Sequence, residues 1–417
     1  MPEGLQHTVR RMVGRDPDED GRASTPLELF FDLTFVIAFG TAADQLAHAL
    51  AEDHIGDGIV GFCFATFAVS WAWINFTWFA SAYDTDDWIF RVTTMVQMVG
   101  VLVLALGLPK MFASLSHGDH VDNSLMVVGY VIMRVPMLFQ WLRASREDPE
   151  RREVCKVMAG TLLVAQVGWI LLLLANLTIG PMFLVAGLLA LLEFSGPVVA
   201  ETRLVGTPWH GHHIAERYGL MVIIALGEGL LGTTTALGAL IEGGWTTEIV
   251  VLGLSGTALT FGVWWTYFVI PHGELLSAHR ERSFGWSYWH IPIFGSVVAI
   301  GAGLHAAAYY LDDRSALSAT GTVLALALPL AVYFGCLFLL YALITRTMDP
   351  FHFLLIGSSA GIMALAVGLA WSGVSMVWCL TVLALVPWVT VVGYETVGHR
   401  HNAAVLAGLE EEQPLPG

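Results

Sequence analysis

The stretch WIFRVTTMVQMVGVLVLALGLPK, Trp88 to Lys110, decides the fold. After Arg91 it runs eighteen residues, 92–109, without an acid, a Lys or an Arg. At 1.5 Å of rise per residue that is about 27 Å of helix, close to the roughly 30 Å of a bilayer's hydrocarbon core. Stretches of the same kind recur from about Leu27 to about Glu395, starting near Pro26, Gly56, Trp88, Asn123, Val154, Leu177, Ile214, Thr247, Phe284, Ala316, Phe351 and Gly373. The expected fold is an all-α polytopic integral membrane protein of about twelve transmembrane helices.

Composition agrees. In 417 residues, 56% are apolar and 13% charged, a balance that a soluble domain of this length does not show. The formal charge of −16 comes largely from acidic termini (Asp16 to Asp20, Glu410 to Glu412) and from acids near span boundaries, so it does not argue for a basic partner. The expected surroundings are the lipid bilayer and a small solute, ion or lipid, with no nucleic acid. Cys63, Cys155, Cys336 and Cys379 are scattered without a CxxC spacing and read as reduced packing residues. Neither metal nor cofactor is expected.

The basic residues fix an orientation. Arg10, Arg11, Arg15, Arg22, Arg143, Arg146, Arg151, Arg152, Lys156, Arg203, Arg280, Arg282, Arg346 and Arg400 fall in or beside one set of connections, and Lys110 and Arg314 in the other. Cationic loops stay in the cytoplasm, which places both termini there. The first twenty-five residues lack the short apolar core of a cleaved leader, so insertion is expected to begin with the first span. The organisation expected is a disordered cytoplasmic segment over 1–25, a first transmembrane half over 26–200, a second over 201–397, and a cytoplasmic tail over 398–417.

The two halves resemble each other weakly. Leu27-Glu28-Leu29-Phe30-Phe31-Asp32 into Val36-Ile37-Ala38-Phe39 parallels Ala215-Glu216-Arg217-Tyr218 into Val222-Ile223-Ile224-Ala225-Leu226, and Thr77-Trp78-Phe79 parallels Thr266-Tyr267-Phe268. About six spans separate the copies, the spacing of two parallel six-helix repeats. Pro136, Pro181, Pro197, Pro292, Pro329 and Pro387 are kink candidates. Trp71, Trp73, Trp78, Trp264, Trp265, Trp286 and Trp289 read as an interfacial belt or as packing.

Ionisable groups inside apolar spans are costly, and each demands a partner or a role. Glu28 and Asp32 lie one turn apart on one face of the first helix, and two such carboxylates repel unless a cation, a proton or an Arg lies between them. Asp84, Asp86 and Asp87 precede the third span, with Arg91 a turn further in, and the plain reading of Asp there is a helix N-cap. His213, Glu216 and Arg217 open the seventh span; Glu228 lies near its middle, flanked by Gly227 and Gly229. Glu216, His213 and Glu228 share an arc that can face the interior, and Arg134 is one possible partner for Glu228. Arg217 is expected to neutralise Glu28, Asp32 or the Asp84 to Asp87 group, and His290 belongs with them to the cytoplasmic half of the membrane.

These residues carry a family resemblance. Leu27 to Leu33 with Phe35-Val36, then Trp78-Phe79 and Tyr83-Asp84-Thr85-Asp86-Asp87 with Arg91, then His213 to Leu220 through Ile224 to Glu228, resemble the bacterial low temperature requirement A (LtrA) membrane proteins. The resemblance spans nearly the whole chain. It implies a polytopic plasma-membrane protein, tied in the family's name to growth in the cold, with no agreed biochemical activity.

Three functions fit the sequence. The first is proton- or cation-coupled transport, with Glu28, Asp32, Arg91, His213, Glu216, Arg217, Glu228 and His290 as substrate- or ion-binding groups. The second is an intramembrane enzyme on a lipid or isoprenoid, because Asp84-Thr85-Asp86-Asp87 matches the motif with which terpene cyclases protonate an alkene. Asp86 would be the acid there, tuned by Asp84 and Asp87. The third is a structural ion-pair lock.

Overall fold

The computed structural model describes residues 9–241 and 244–412, and among these every regular element is helical. The helices are α1 (Pro26–Ala51), α2 (Ile55–Tyr83), α3 (Trp88–His117), α4 (Ser124–Glu147), α5 (Arg152–Ala175), α6 (Ile179–Arg203), α7 (Gly211–Ile241), α8 (Thr247–Phe268), α9 (His272–Ala278), α10 (Ser283–Leu311), α11 (Ala319–Thr345), α12 (Pro350–Trp371), α13 (Met376–Ala384), α14 (Val386–Gly393) and α15 (His399–Glu412). They make twelve segments long and apolar enough to cross a membrane. Of the expected terminal segments, residues 1–8 and 413–417 lie outside the described residues. Residues 9–25 form no regular element, yet Met12 is fully buried, Arg15 N donates to Ala82 O at 2.9 Å, and Gly14 N donates to Asp148 Oδ2 at 3.1 Å.

Local chemistry sets the helix boundaries. Thr25 and Glu28 form a reciprocal box at the start of α1: Glu28 N donates to Thr25 Oγ1 at 3.3 Å, and Thr25 N to Glu28 Oε2 at 2.8 Å. Asp87 caps α3 through Phe90 N at 2.8 Å, Thr246 caps α8, and Ser318 caps α11. Asp349 accepts from Phe351 N and His352 N, with Pro350 in the first turn of α12. Pro136, Pro197, Pro292 and Pro329 lie inside helices, Pro181 in the first turn of α6, and Pro387 just past the break between α13 and α14.

The chain divides into two compact units, Met1–Ala42 with Ala68–Arg217, and Ala43–Phe67 with Tyr218–Gly417, so α1, α2 and α7 contribute residues to each. In the first unit α3 and α4 cross backbone to backbone. A Cβ on Gly100 would lie 2.7 Å from Gly129 O, and one on Gly129 2.6 Å from Gly100 O. Small residues permit this in lipid, where close van der Waals packing replaces the hydrophobic effect as the cement between helices. Trp71 of α2 meets Phe194 of α6 edge-on. In the second unit α10 packs on α11, with Gly303 against Ala325 and Leu326, while α8 packs on α13 and α14 through Ser255–Thr381 and Trp388 Nε1 to Ala258 O. Leu106, Leu174, Leu184 and Trp371 are among the large apolar side chains left exposed, as lipid-facing positions require.

Candidate functional site

The first unit encloses a charge cluster at the amino ends of α1 and α7. Arg217, fully buried, straddles two carboxylates one turn apart: Nε donates to Asp32 Oδ2 at 2.9 Å, Nη2 to Asp32 Oδ1 at 2.5 Å, and Nη1 to Glu28 Oε1 at 3.0 Å. Trp73 Nε1 donates to Asp32 Oδ1 at 2.6 Å, and the guanidinium lies 5.9 Å from the ring centres of both Trp73 and Phe76. His213 Nε2 is 3.2 Å from Glu28 Oε1, although neither ring nitrogen has hydrogen-bond geometry to a partner. The amino end of α7 is capped by a histidine, His210 Nδ1 accepting from His213 N at 3.2 Å. Removing one partner from a buried pair of this kind costs about 3–5 kcal/mol, because the other is left as an uncompensated charge.

Arg22 extends the cluster, with Nη2 3.5 Å from Glu28 Oε1 and 3.7 Å from Asp84 Oδ2. Three carboxyls, Glu28, Asp32 and Asp84, thus face two guanidiniums. Asp84 accommodates the surplus: burial, with the charges of Glu28 and Asp86, pushes its carboxyl up to about 6 against the pull of the Asp86 N–H and Arg22.

The rest of the Asp84 to Asp87 group splits by environment. Asp87 caps α3 and accepts Arg143 Nη2 at 2.6 Å; burial works against its charge, but Arg143 and the backbone N–H groups of Phe90 and Arg10 hold it below the usual carboxylate range. Asp86, in a left-handed backbone conformation, is an exposed carboxylate forked by Arg91 at 2.8 Å through both oxygens. The middle acid is therefore not enclosed by its neighbours as an alkene-protonating group must be.

Several sequence expectations are corrected here. Glu216 does not face the interior beside His213: it is exposed, its contact being Ser24 N to Oε1 at 3.4 Å. Arg134 pairs with Glu193 of α6, not with Glu228, and Glu193 also accepts from the indole N–H groups of Trp71 and, at 2.6 Å, Trp169. Of the tryptophans read as belt or packing, Trp71, Trp73 and Trp286 are packing, each a buried hydrogen-bond donor. Glu193 is the residue sequence reasoning missed; its signal is an acid amid the apolar run of α6.

The second unit holds Glu228 and His290. His290 is fully buried, its Nδ1 2.7 Å from the Trp286 carbonyl and its Nε2 3.0 Å from the Tyr267 hydroxyl. The carbonyl can only accept, so the neutral ring carries its proton on Nδ1 and accepts from Tyr267. Trp286 Nε1 donates to His272 Nδ1 at 3.2 Å, and Tyr218 OH meets Ser287 Oγ, completing an aromatic and histidine core.

Glu228 is 2% exposed at a tight crossing of α7 and α10, where a Cβ on Gly301 would lie 2.6 Å from its carbonyl carbon. One turn further along both helices Gly232 faces Leu304 and His305. His305 Nδ1 lies 3.0 Å from Asp44 Oδ1, its Nε2 is buried without a partner, and the Asp44 side chain is 64% exposed. His305 and Asp44 are the titratable groups whose electrostatics reach Glu228. Among the described residues no group of three or more His, Cys, Asp or Glu side chains could hold a metal ion.

The sequence pattern of the bacterial low temperature requirement A protein (LtrA) family matches residues 23–387. The chain belongs to that family. Glu28, Asp32, Asp84, Arg217 and Glu228 of this LtrA protein all lie within the matched span. A relative, an uncharacterized protein of Rhizobium meliloti (strain 1021), is 28% identical over 322 residues, 73% of each chain. No solved structure matches the LtrA chain.

Proposed function

We propose that this LtrA protein is a proton- or cation-coupled transporter of the bacterial plasma membrane, with both termini cytoplasmic. The observation that carries the reading is Glu228. A carboxyl enclosed in the middle of a long apolar helix, next to an imidazole that leads to an exposed aspartate, is the arrangement a proton relay needs: titratable groups in series, the innermost shielded from lipid and water. The relay would pass through His305, whose Nδ1 meets Asp44 and whose Nε2 is buried without a partner. In the first unit the surplus carboxyl at Asp84 supplies a second exchangeable proton, beside the Glu28–Arg217–Asp32 group.

Parallel six-helix repeats are part of the proposal. The pairing of α3 with α4 and of α2 with α6 in one unit has counterparts in α10 with α11 and α8 with α14 in the other. The enzymatic alternative has less support, because its acid, Asp86, is an exposed carboxylate bound to Arg91.

Glu228→Gln tests the reading, since it keeps size and removes titration. In vesicles reconstituted with the full chain and carrying an internal pH-sensitive dye, an imposed potential should drive proton uptake through the parent and not through Glu228→Gln, while Asp86→Asn behaves as the parent. Equal uptake by parent and Glu228→Gln across roughly pH 5 to 8 would sink the proposal.

A further inference from the structure

The second unit contains a cavity that shares no residue with the Glu228 relay. It has about 530 Å³ of empty space, its open mouth included, where the end of α8, α11, α12, α14 and α15 converge. Phe338, Tyr341, Phe351 and Tyr394 bring four aromatic rings to its wall, and among the described residues no Lys or Arg lines it. His352 and His401 also line it, and behind them stands a carboxylate: Asp349 Oδ1 is 2.8 Å from His352 Nδ1, and Oδ2 is 2.7 Å from His401 Nδ1. Burial opposes the charge on Asp349, yet the His352 backbone N–H and ring, with His401 nearby, hold its carboxyl below the usual range, so it stays anionic.

Two polar side chains of the wall are tied to each other and to the backbone. Tyr341 OH donates to Asn402 Oδ1 at 3.0 Å, and Asn402 Nδ2 donates to Val269 O at 2.9 Å. Two lining groups are less satisfied: the Thr390 hydroxyl, more than nine-tenths buried, and His401 Nδ1, close to Asp349, both lack hydrogen-bond geometry to a partner.

We propose that this cavity is a binding site for a small organic cation with an apolar body, of the substituted-ammonium class. An anion would meet a carboxylate and no fixed positive charge. A sugar-like molecule would meet a wall dominated by aromatic and aliphatic side chains. An ammonium carried on an aromatic or aliphatic body meets ring faces, whose electron-rich surfaces attract cations, and a negative charge one imidazole away. The substitution that removes this charge leaves the fold alone, because Asn caps a helix as well as Asp and α12 keeps its start.

The experiment is equilibrium dialysis of radiolabelled benzyltrimethylammonium against the full-length protein in lipid nanodiscs, with neopentylbenzene, its uncharged carbon isostere, and benzoate as competitors. Binding should be saturable, at least tenfold weaker in Asp349→Asn and in Tyr394→Leu, and unchanged in Tyr394→Phe, which keeps the ring. Absence of saturable binding to the parent, an Asp349→Asn variant that binds as tightly, or displacement by neopentylbenzene or benzoate as effective as by the unlabelled cation would each overturn the proposal. Thermal unfolding of the variants, unchanged from the parent, separates a lost ligand contact from a lost fold.

Discussion

At the scale of single residues, the cluster around Arg217 shows how a charge inside an apolar helix is tolerated. The guanidinium presents its donors as a fork, and Glu28 and Asp32, one turn apart, offer acceptors at matching height. Asp84 is the member without a full counter-charge, and its titration is testable. Folded, it holds its proton up to about 6; unfolded, a carboxyl of this kind releases it near about 3.9. The folded state therefore binds more protons between those values. Its contribution to stability is fully present below about pH 4 and is lost as pH rises through about 6, by about 3 kcal/mol. Asp84→Asn should flatten the parent's decline in thermal midpoint between about pH 4 and 6.5 and match or exceed the parent at pH 7. A variant less stable than the parent above pH 6 would mean that Asp84 serves as an ionised partner of Arg22 instead.

At the scale of elements, the spans were legible because lipid leaves a helix no alternative for its backbone polar groups, and a run of apolar residues records that constraint directly. The twelve starts read from hydropathy fall within about four residues of the helices observed. What the spacing of residues cannot encode is which helices touch. The Arg217 contact with Glu28 and Asp32 could be anticipated from charge balance, since two neighbouring carboxylates need a cation. Arg134 had two acids to choose from, and the choice of Glu193 over Glu228 depends on tertiary packing of α4 against α6. Asp44 and His305 are likewise ionisable groups inside spans, visible singly and invisible as a pair. Glycines carry the same lesson, because only a contact tells a crossing point from an ordinary position. Gly301→Ala should push α7 from α10 at Glu228 and lower stability by roughly 1–3 kcal/mol, as overpacking does. Gly335→Ala, in open surroundings on α11, should be neutral or stabilising by up to about 1 kcal/mol. Thermal unfolding of the two variants side by side checks the contrast, and equal effects would mean the α7–α10 crossing is looser than described.

At the scale of the whole molecule, net charge and orientation have to be kept apart. The chain carries −16 overall, yet orientation follows Lys and Arg near span ends and is nearly indifferent to acids. Many of the basic residues are already neutralised within the fold: Arg143 by Asp87 and Glu147, Arg15 by Glu19, Lys156 by Glu153 and Arg282 by Glu281. These pairs form in the finished protein, whereas orientation is set while the helices insert, so the asymmetry of Lys and Arg should still decide it. The last prediction follows. In a variant lacking Cys63, Cys155, Cys336 and Cys379, single cysteines at Asp119 and Asp312, both exposed, should react with a membrane-impermeant maleimide in intact cells. Cysteines at Glu150 and Thr347, equally exposed, should react only after the membrane is opened. Asp119 and Asp312 follow the third and ninth spans, and Glu150 and Thr347 the fourth and tenth, so adjacent connections on opposite faces are sampled in both parts of the chain. The reverse pattern would turn the molecule over and place the exposed Asp44 on the cytoplasmic side. A mixed pattern would mean a span that does not cross, and would remove the even spacing on which parallel repeats depend.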